Sequence, residues 1–107
     1  MATLVINAPK AKIRQTNAQS FETTLTSCVG DGYAIWKTLV AQVNTGSGVV
    51  LLDKDQGKRA EGILVRLVPI PEKTGNGIQR YEVHMKNLRI VPYKSERLNR
   101  NGVAVIV

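Results

Sequence analysis

The chain has 107 residues, 43% of them hydrophobic, with 15 Lys plus Arg against 8 Asp plus Glu, a net charge of +7. That length suits a single domain, residues 1–107, with a hydrophobic core of its own, and the apolar content excludes a disordered chain. A single Cys and a single His exclude a disulfide framework and a four-ligand His/Cys zinc site within the chain.

In chain order, Thr3-Leu4-Val5-Ile6 reads as a short β-branched strand closed by Pro9. Phe21 to Leu25, with Phe21, Thr23 and Leu25 on alternate positions, reads as a second strand. Tyr33 to Val43 is expected to be a helix, because Trp36, Leu39, Val40 and Val43 have helical spacing, Asp31 can cap it and Gly46 can stop it. Tyr33, Ile35, Leu39 and Val43 also share one parity, but an unbroken strand of that length is unusual.

Val49-Val50-Leu51-Leu52 is an apolar strand, and the polar turn from Asp53 to Arg59 joins it as a hairpin to the next apolar run. That run, Ile63 to Val68, is apolar on both faces except at Arg66, as in a closed or covered sheet. Pro69 to Gly77 reads as a longer loop with a Gly75-Asn76-Gly77 turn. Ile78 to Val91 is the longest strand. Tyr81, Val83 and Met85 share one face while Leu88 and Ile90 have the opposite parity, so a bulge near Lys86-Asn87 is expected. Val103 to Val107 adds a sixth strand, and the polar stretches 1–20 and 92–101 are expected to be looser. The inventory is mostly β, five to six largely antiparallel strands with one or two short helices.

Targeting signals are absent. Ala2 to Ile6 is too short for a signal-peptide core, and no apolar run approaches the ~18 residues that span a bilayer. A cytoplasmic protein without a membrane partner is the expectation, and no motif implies a cofactor.

Catalytic patterns fare poorly. Cys28 and His84 are the only pair able to supply a thiol nucleophile and its base, but His84 shares a polar strand face with Glu82 and Lys86, as an exposed imidazole would. No Gly-x-Ser-x-Gly elbow exists. Asp53-Lys54-Asp55-Gln56-Gly57 fails as a calcium loop, since Gly57 stands at the fifth position and Leu64 at the twelfth. Thr45-Gly46-Ser47-Gly48 lacks the lysine of a phosphate loop and leads into a strand. Backbone N–H groups at Gly30-Asp31-Gly32 would suit an anion, were Asp31 not placing a negative charge there.

What remains is a basic chain with a few aromatics. From Lys58 onward ten basic residues face four acidic ones. Single-stranded nucleic acid is held by cations along its backbone and by flat side chains against its bases. Lys37 adjoins Trp36, one turn from Tyr33 on the expected helix; Lys54, Lys58 and Arg59 crowd one hairpin tip, with Arg80 and Lys86 on a neighbouring strand. Trp36 fits either base stacking or core packing beside Leu39 and Val40. Arg66, among apolar neighbours, needs a buried partner such as Glu61 or Glu82, or a cavity to open into.

The order of motifs is that of Gly30-Asp31-Gly32-Tyr33-Ala34-Ile35-Trp36, then Gly48-Val49-Val50-Leu51-Leu52-Asp53, then Ala60-Glu61-Gly62-Ile63-Leu64-Val65, then Arg80-Tyr81-Glu82-Val83-His84 leading to Leu88-Arg89-Ile90-Val91. Over residues 28–91 this resembles the PUA-like superfamily, which includes the ASCH and EVE domains. The resemblance implies a small pseudo-barrel that binds RNA or modified bases in a cleft beside it, with Tyr33 and Trp36 matching its aromatics and Arg59 its basic residue. Two departures stand: Lys10-Ala11-Lys12-Ile13-Arg14 lacks the spacing and the Glu of the ASCH motif, and the opening strand lacks the aromatic pair usual in EVE domains.

The expected function is a non-enzymatic module binding RNA, a modified nucleotide or another nucleic acid. Lys37, Lys54, Lys58, Arg59, Arg80 and Lys86 would meet phosphates, Tyr33 and Trp36 would stack on a base, and Arg66 and His84 would be polar residues of the cleft. The alternative is a homo-oligomerising or protein-interaction β domain. Its carrier is Val103-Ala104-Val105-Ile106-Val107, an uncharged, β-prone tail that either pairs inside the barrel or adds to a second subunit. A hydrolase using His84 as general base is the third reading.

Overall fold

The computed structural model describes residues 2–8, 20–75, 77–99 and 102–107. Its elements are β1 (Thr3–Asn7), α1 (Phe21–Ser27), β2 (Val29–Ala34), α2 (Lys37–Val40), β3 (Gly48–Asp53), β4 (Lys58–Gly75), β5 (Ile78–Val91) and β6 (Val103–Ile106). The six strands form one sheet in the order β2-β5-β4-β3-β1-β6, curled into a half-barrel. All neighbours are antiparallel except β1 and β3. No helix among the described residues is long and apolar enough to cross a membrane.

The inner face carries the main core: Leu4 and Ile6 of β1, Val49 and Leu51 of β3, Leu64 of β4, Val83 and Met85 of β5 and Val103 of β6, with Phe21 of α1. The alternate residues Val5, Val50 and Leu52 form a second, smaller cluster on the outer face, closed by Leu98 and Ala104. Both faces of β3 are therefore covered, which is why its sequence is apolar at successive positions. The cover is the strap 92–99, which has no regular structure and is tied to the sheet by hydrogen bonds. Arg59 Nη1 donates to the Lys94 carbonyl at 2.8 Å, and Asn99 N–H donates to the Val103 carbonyl at 2.9 Å. Of the stretch 1–20, β1 is well packed, while residues 9–19 lie outside the described residues.

Bulges curl the sheet. The one expected at Lys86-Asn87 is present: the ladder slips between Glu61–Arg89 and Ile63–Lys86, and Asn87 takes φ 56. Gly62 makes the slip feasible, because a Cβ there would lie 2.7 Å from the Lys86 carbonyl oxygen. Leu88 turns back to the core as expected, but Ile90 stays 68% exposed.

Three expected elements differ. Phe21 to Leu25 is the helix α1, not a strand: Ser20 caps it by accepting from the Thr23 N–H at 3.0 Å, and Phe21 and Thr24, three apart, face inward. Cys28 ends it in the left-handed region at φ 62. Tyr33 to Val43 is not one helix, since Tyr33 and Ala34 pair with Tyr81 and Arg80 as the end of β2 and only Lys37–Val40 turns. Asp31 accordingly lies within β2, and the residue that begins α2 is Trp36. Pro69 to Gly75 is strand rather than loop, extending β4 to a tight turn before Ile78.

Candidate functional site

Placing the expected site residues begins with two that the fold keeps for itself. Tyr33 is only 4% exposed and belongs to the core, so it offers no face to a base. Gly30 makes this burial possible: a Cβ there would sit 2.8 Å from the Tyr33 ring. Arg59 is 8% exposed and grips Glu61 at 3.0 Å and Glu96 at 2.8 Å. Burial alone would lower its pKa, but the hydrogen bonds to Glu96 and Glu61 and the charges of both outweigh that and raise it. A guanidinium neutralised by two carboxylates is not a phosphate contact.

Arg66 departs from expectation in the other direction. The ladder slips again between Leu64–Met85 and Arg66–His84, so Val65 is the extra residue and parity reverses after it. Arg66 thereby reaches the exposed outer face and needs neither a buried partner nor a cavity. Of the acids expected to serve it, Glu61 pairs with Arg59, and Glu82 lies 3.0 Å from Nε2 of His84.

The rest divide into two groups at opposite ends of β5. Val83 and Met85 point to the core, so Arg80, Glu82, His84 and Lys86 project from the outer face, with Arg66 directly opposite His84. Lys86 and Arg66 are exposed, while Arg80 donates to the Gly32 carbonyl at 2.6 Å. At the near end of this row, Ile35 N–H donates to the Gln79 carbonyl and brings Trp36 beside the start of β5. Trp36 is 49% exposed and is therefore not a core residue. It forms one wall of a slot of about 430 Å³ shared with Lys37, Thr38, Gly77, Ile78 and Gln79.

Lys54 and Lys58 sit at the far end, on the β3–β4 turn. Lys54 is exposed. Lys58 lies 3.6 Å from Glu22 and 6.0 Å from the Phe21 ring centre. Beside them, a second groove of about 430 Å³ runs between α1 and β5 over Phe21, Leu25, Ile90 and Val91. A third, of about 350 Å³, lies on the outer face next to the Arg59–Glu96 pair. The apparent calcium loop is an ordinary turn, in which Asp53 accepts from the Gln56 N–H and from Gln56 Nε2.

No family model, curated protein or solved structure matches this chain. The chemistry has to be read from the side chains alone. Among the described residues no group of three or more His, Cys, Asp or Glu could hold a metal ion. Cys28 Sγ faces the Leu25 carbonyl and His84 faces Glu82, so the thiol and the imidazole are turned to different partners.

Two residues that shape these surfaces escaped the sequence reading. Gln79 Nε2 donates to the carbonyls of Ile70 and Arg80, bridging a break in the β4–β5 ladder. Asn99 ties the strap to β6 through its N–H and its Oδ1. No signal in the sequence marks either residue.

Proposed function

We propose that the protein is a non-enzymatic module that binds unpaired RNA or another single-stranded nucleic acid, with Trp36 as the stacking surface and the outer face of β5 as the track for phosphates. The observation that carries this is the half-exposed Trp36 beside Lys37, at one end of a strand that presents Arg80 and Lys86, with Arg66 alongside. A Trp usually buries most of its surface, and a flat ring next to cations is the arrangement that single strands use. Alternate residues on one strand face project about every 6.6 Å, so the cations form a line rather than a point. Glu82 interrupts the line, with its carboxylate 3.0 Å from Nε2 of His84.

Trp36 is the only Trp and reports on its own slot. Titration with single-stranded RNA oligomers at two salt concentrations should quench its fluorescence, less so at the higher salt, because each neutralised phosphate releases counterions. In anisotropy measurements on labelled RNA, Trp36→Ala should weaken binding about tenfold, in line with ~1–3 kcal/mol per stacked base. Absence of binding even at low salt would end the nucleic-acid reading.

A further inference from the structure

We propose that Gln79 is a specificity-determining residue of the Trp36 slot and that it selects bases with an amino group at the adenine N6 or cytosine N4 position. The inference rests on the nucleic-acid reading and adds to it which bases are held. The slot of about 430 Å³ is a recess with Trp36 on one side and Ile78 on another, which admits a base that has left its stack and not one inside a duplex. A ring lying between those side chains presents its polar edge to whatever else lines the recess.

Among the described residues Gln79 is the one side-chain amide there, and two hydrogen bonds fix its orientation. Its Nε2 donates to the Ile70 carbonyl at 2.8 Å and to the Arg80 carbonyl at 3.0 Å. Ile70–Arg80 is the last pair before the ladder slips to Thr74–Gln79, and these two bonds hold the Gln79 amide at the slip. Turning the amide over would set Oε1 against two carbonyl oxygens, so both Nε2 hydrogens are committed and only Oε1 remains for a ligand. The polar offer of Gln79 is therefore an acceptor and never a donor. The Thr38 hydroxyl at the same recess both donates and accepts, so it does not discriminate.

An acceptor of fixed direction favours adenine, with its N6 amino group, and cytosine, with N4. Uracil presents a carbonyl oxygen at the equivalent position, and its ring N–H lies between two such oxygens, so the approach that suits an amino group meets repulsion. A single good base contact discriminates by ~1–3 kcal/mol, and the openness of the slot places the expected preference at the lower end, about tenfold.

The experiment uses the unaltered chain, because Gln79→Leu would also strip two carbonyls of their partner. Anisotropy at low salt compares labelled oligomers of about eight nucleotides, a length within single-strand site sizes, made of adenosine, cytidine, uridine or purine riboside. Purine riboside keeps the adenine ring system and lacks its amino group, so it separates reading from stacking. Adenosine and cytidine oligomers should bind about tenfold more tightly than the uridine oligomer, and purine riboside should fall with uridine. Purine riboside binding as well as adenosine would overturn the role of Gln79 and leave the nucleic-acid reading intact. Failure of all four oligomers to bind would overturn both.

Discussion

Arg59 ties two parts of the chain together at one point. Its own strand β4 supplies Glu61, and the strap supplies Glu96 and the carbonyl of Lys94. Removing one partner of a buried pair leaves the other charge uncompensated and costs ~3–5 kcal/mol when both are buried. Here the Glu61 side chain is 38% exposed, so Arg59→Ala should cost about 2 kcal/mol, lowering Tm by on the order of 10 °C in thermal unfolding. Lys54→Ala, exposed on the turn, should leave Tm almost unchanged, and equal Tm losses in the two variants would contradict the buried role of Arg59. The pH dependence follows from the raised pKa of Arg59. Its contribution is fully present below the ordinary arginine range and is lost only as pH rises through the folded value, so it stays constant through neutral pH.

Strand β6 shows how an edge can be both exposed and guarded. Asn7 N–H donates to the Gly102 carbonyl, which sets the phase: the peptide groups of Ala104 and Ile106 turn toward β1, and those of Val103 and Val105 turn away. Asn99 occupies Val103 on that outer side, accepting from its N–H at 3.1 Å and donating to its carbonyl at 2.9 Å. Among the described residues nothing pairs with the outward peptide groups of Val105, which lies beside Ile106, 41% exposed, and Val107, 93% exposed. A second copy pairing strand to strand would have to begin there. Asn99→Ala should lengthen the open edge and raise self-association in sedimentation velocity, whereas unchanged sedimentation would mean that the Asn99 bonds do not limit pairing.

The same scale shows what was legible in the sequence. Strands that alternate or run apolar, β1, β3, β5 and β6, were readable because burial imposes a period that composition reveals. The Lys86-Asn87 bulge was readable because it disturbs that period. Phe21 to Leu25 misled because a two-turn helix and a short strand both turn Phe21 and Leu25 to the core, and the deciding contact, Ser20 to Thr23, is local hydrogen bonding rather than hydrophobicity. Arg66 misled because the Val65 bulge leaves no mark when its neighbours are all aliphatic. Trp36 was left undecided because exposure depends on where β2 ends, which pairing with β5 determines.

The whole molecule measures 34 × 33 × 24 Å, and its excess positive charge is not gathered in one cleft. The cations expected to act together are spread along β5, with Arg80 beside the Trp36 slot, Arg66 and Lys86 near mid-strand, and Lys54 and Lys58 at the far turn. Two double variants test which group meets nucleic acid. Arg66→Ala with Lys86→Ala should reduce the slope of log K against log salt by about 1.4, two contacts at ~0.7 each for a single strand. Lys54→Ala with Lys58→Ala should leave the slope unchanged. The reverse pattern would move the interface to the α1 end of the molecule.

Thr3 is paired with Ile106, so the first and last strands lie side by side with their free ends at the same corner of the sheet. Tension on the two ends would load the hydrogen bonds between β1 and β6 one after another, as in opening a zip, rather than all at once in shear. Once β6 has peeled to Gly102, the pull passes to the strap and lifts Leu98 from Val5, Val50 and Leu52. The chain is thus built to yield from its ends inward, with the long β4–β5 hairpin and the Trp36 slot the last to feel the force.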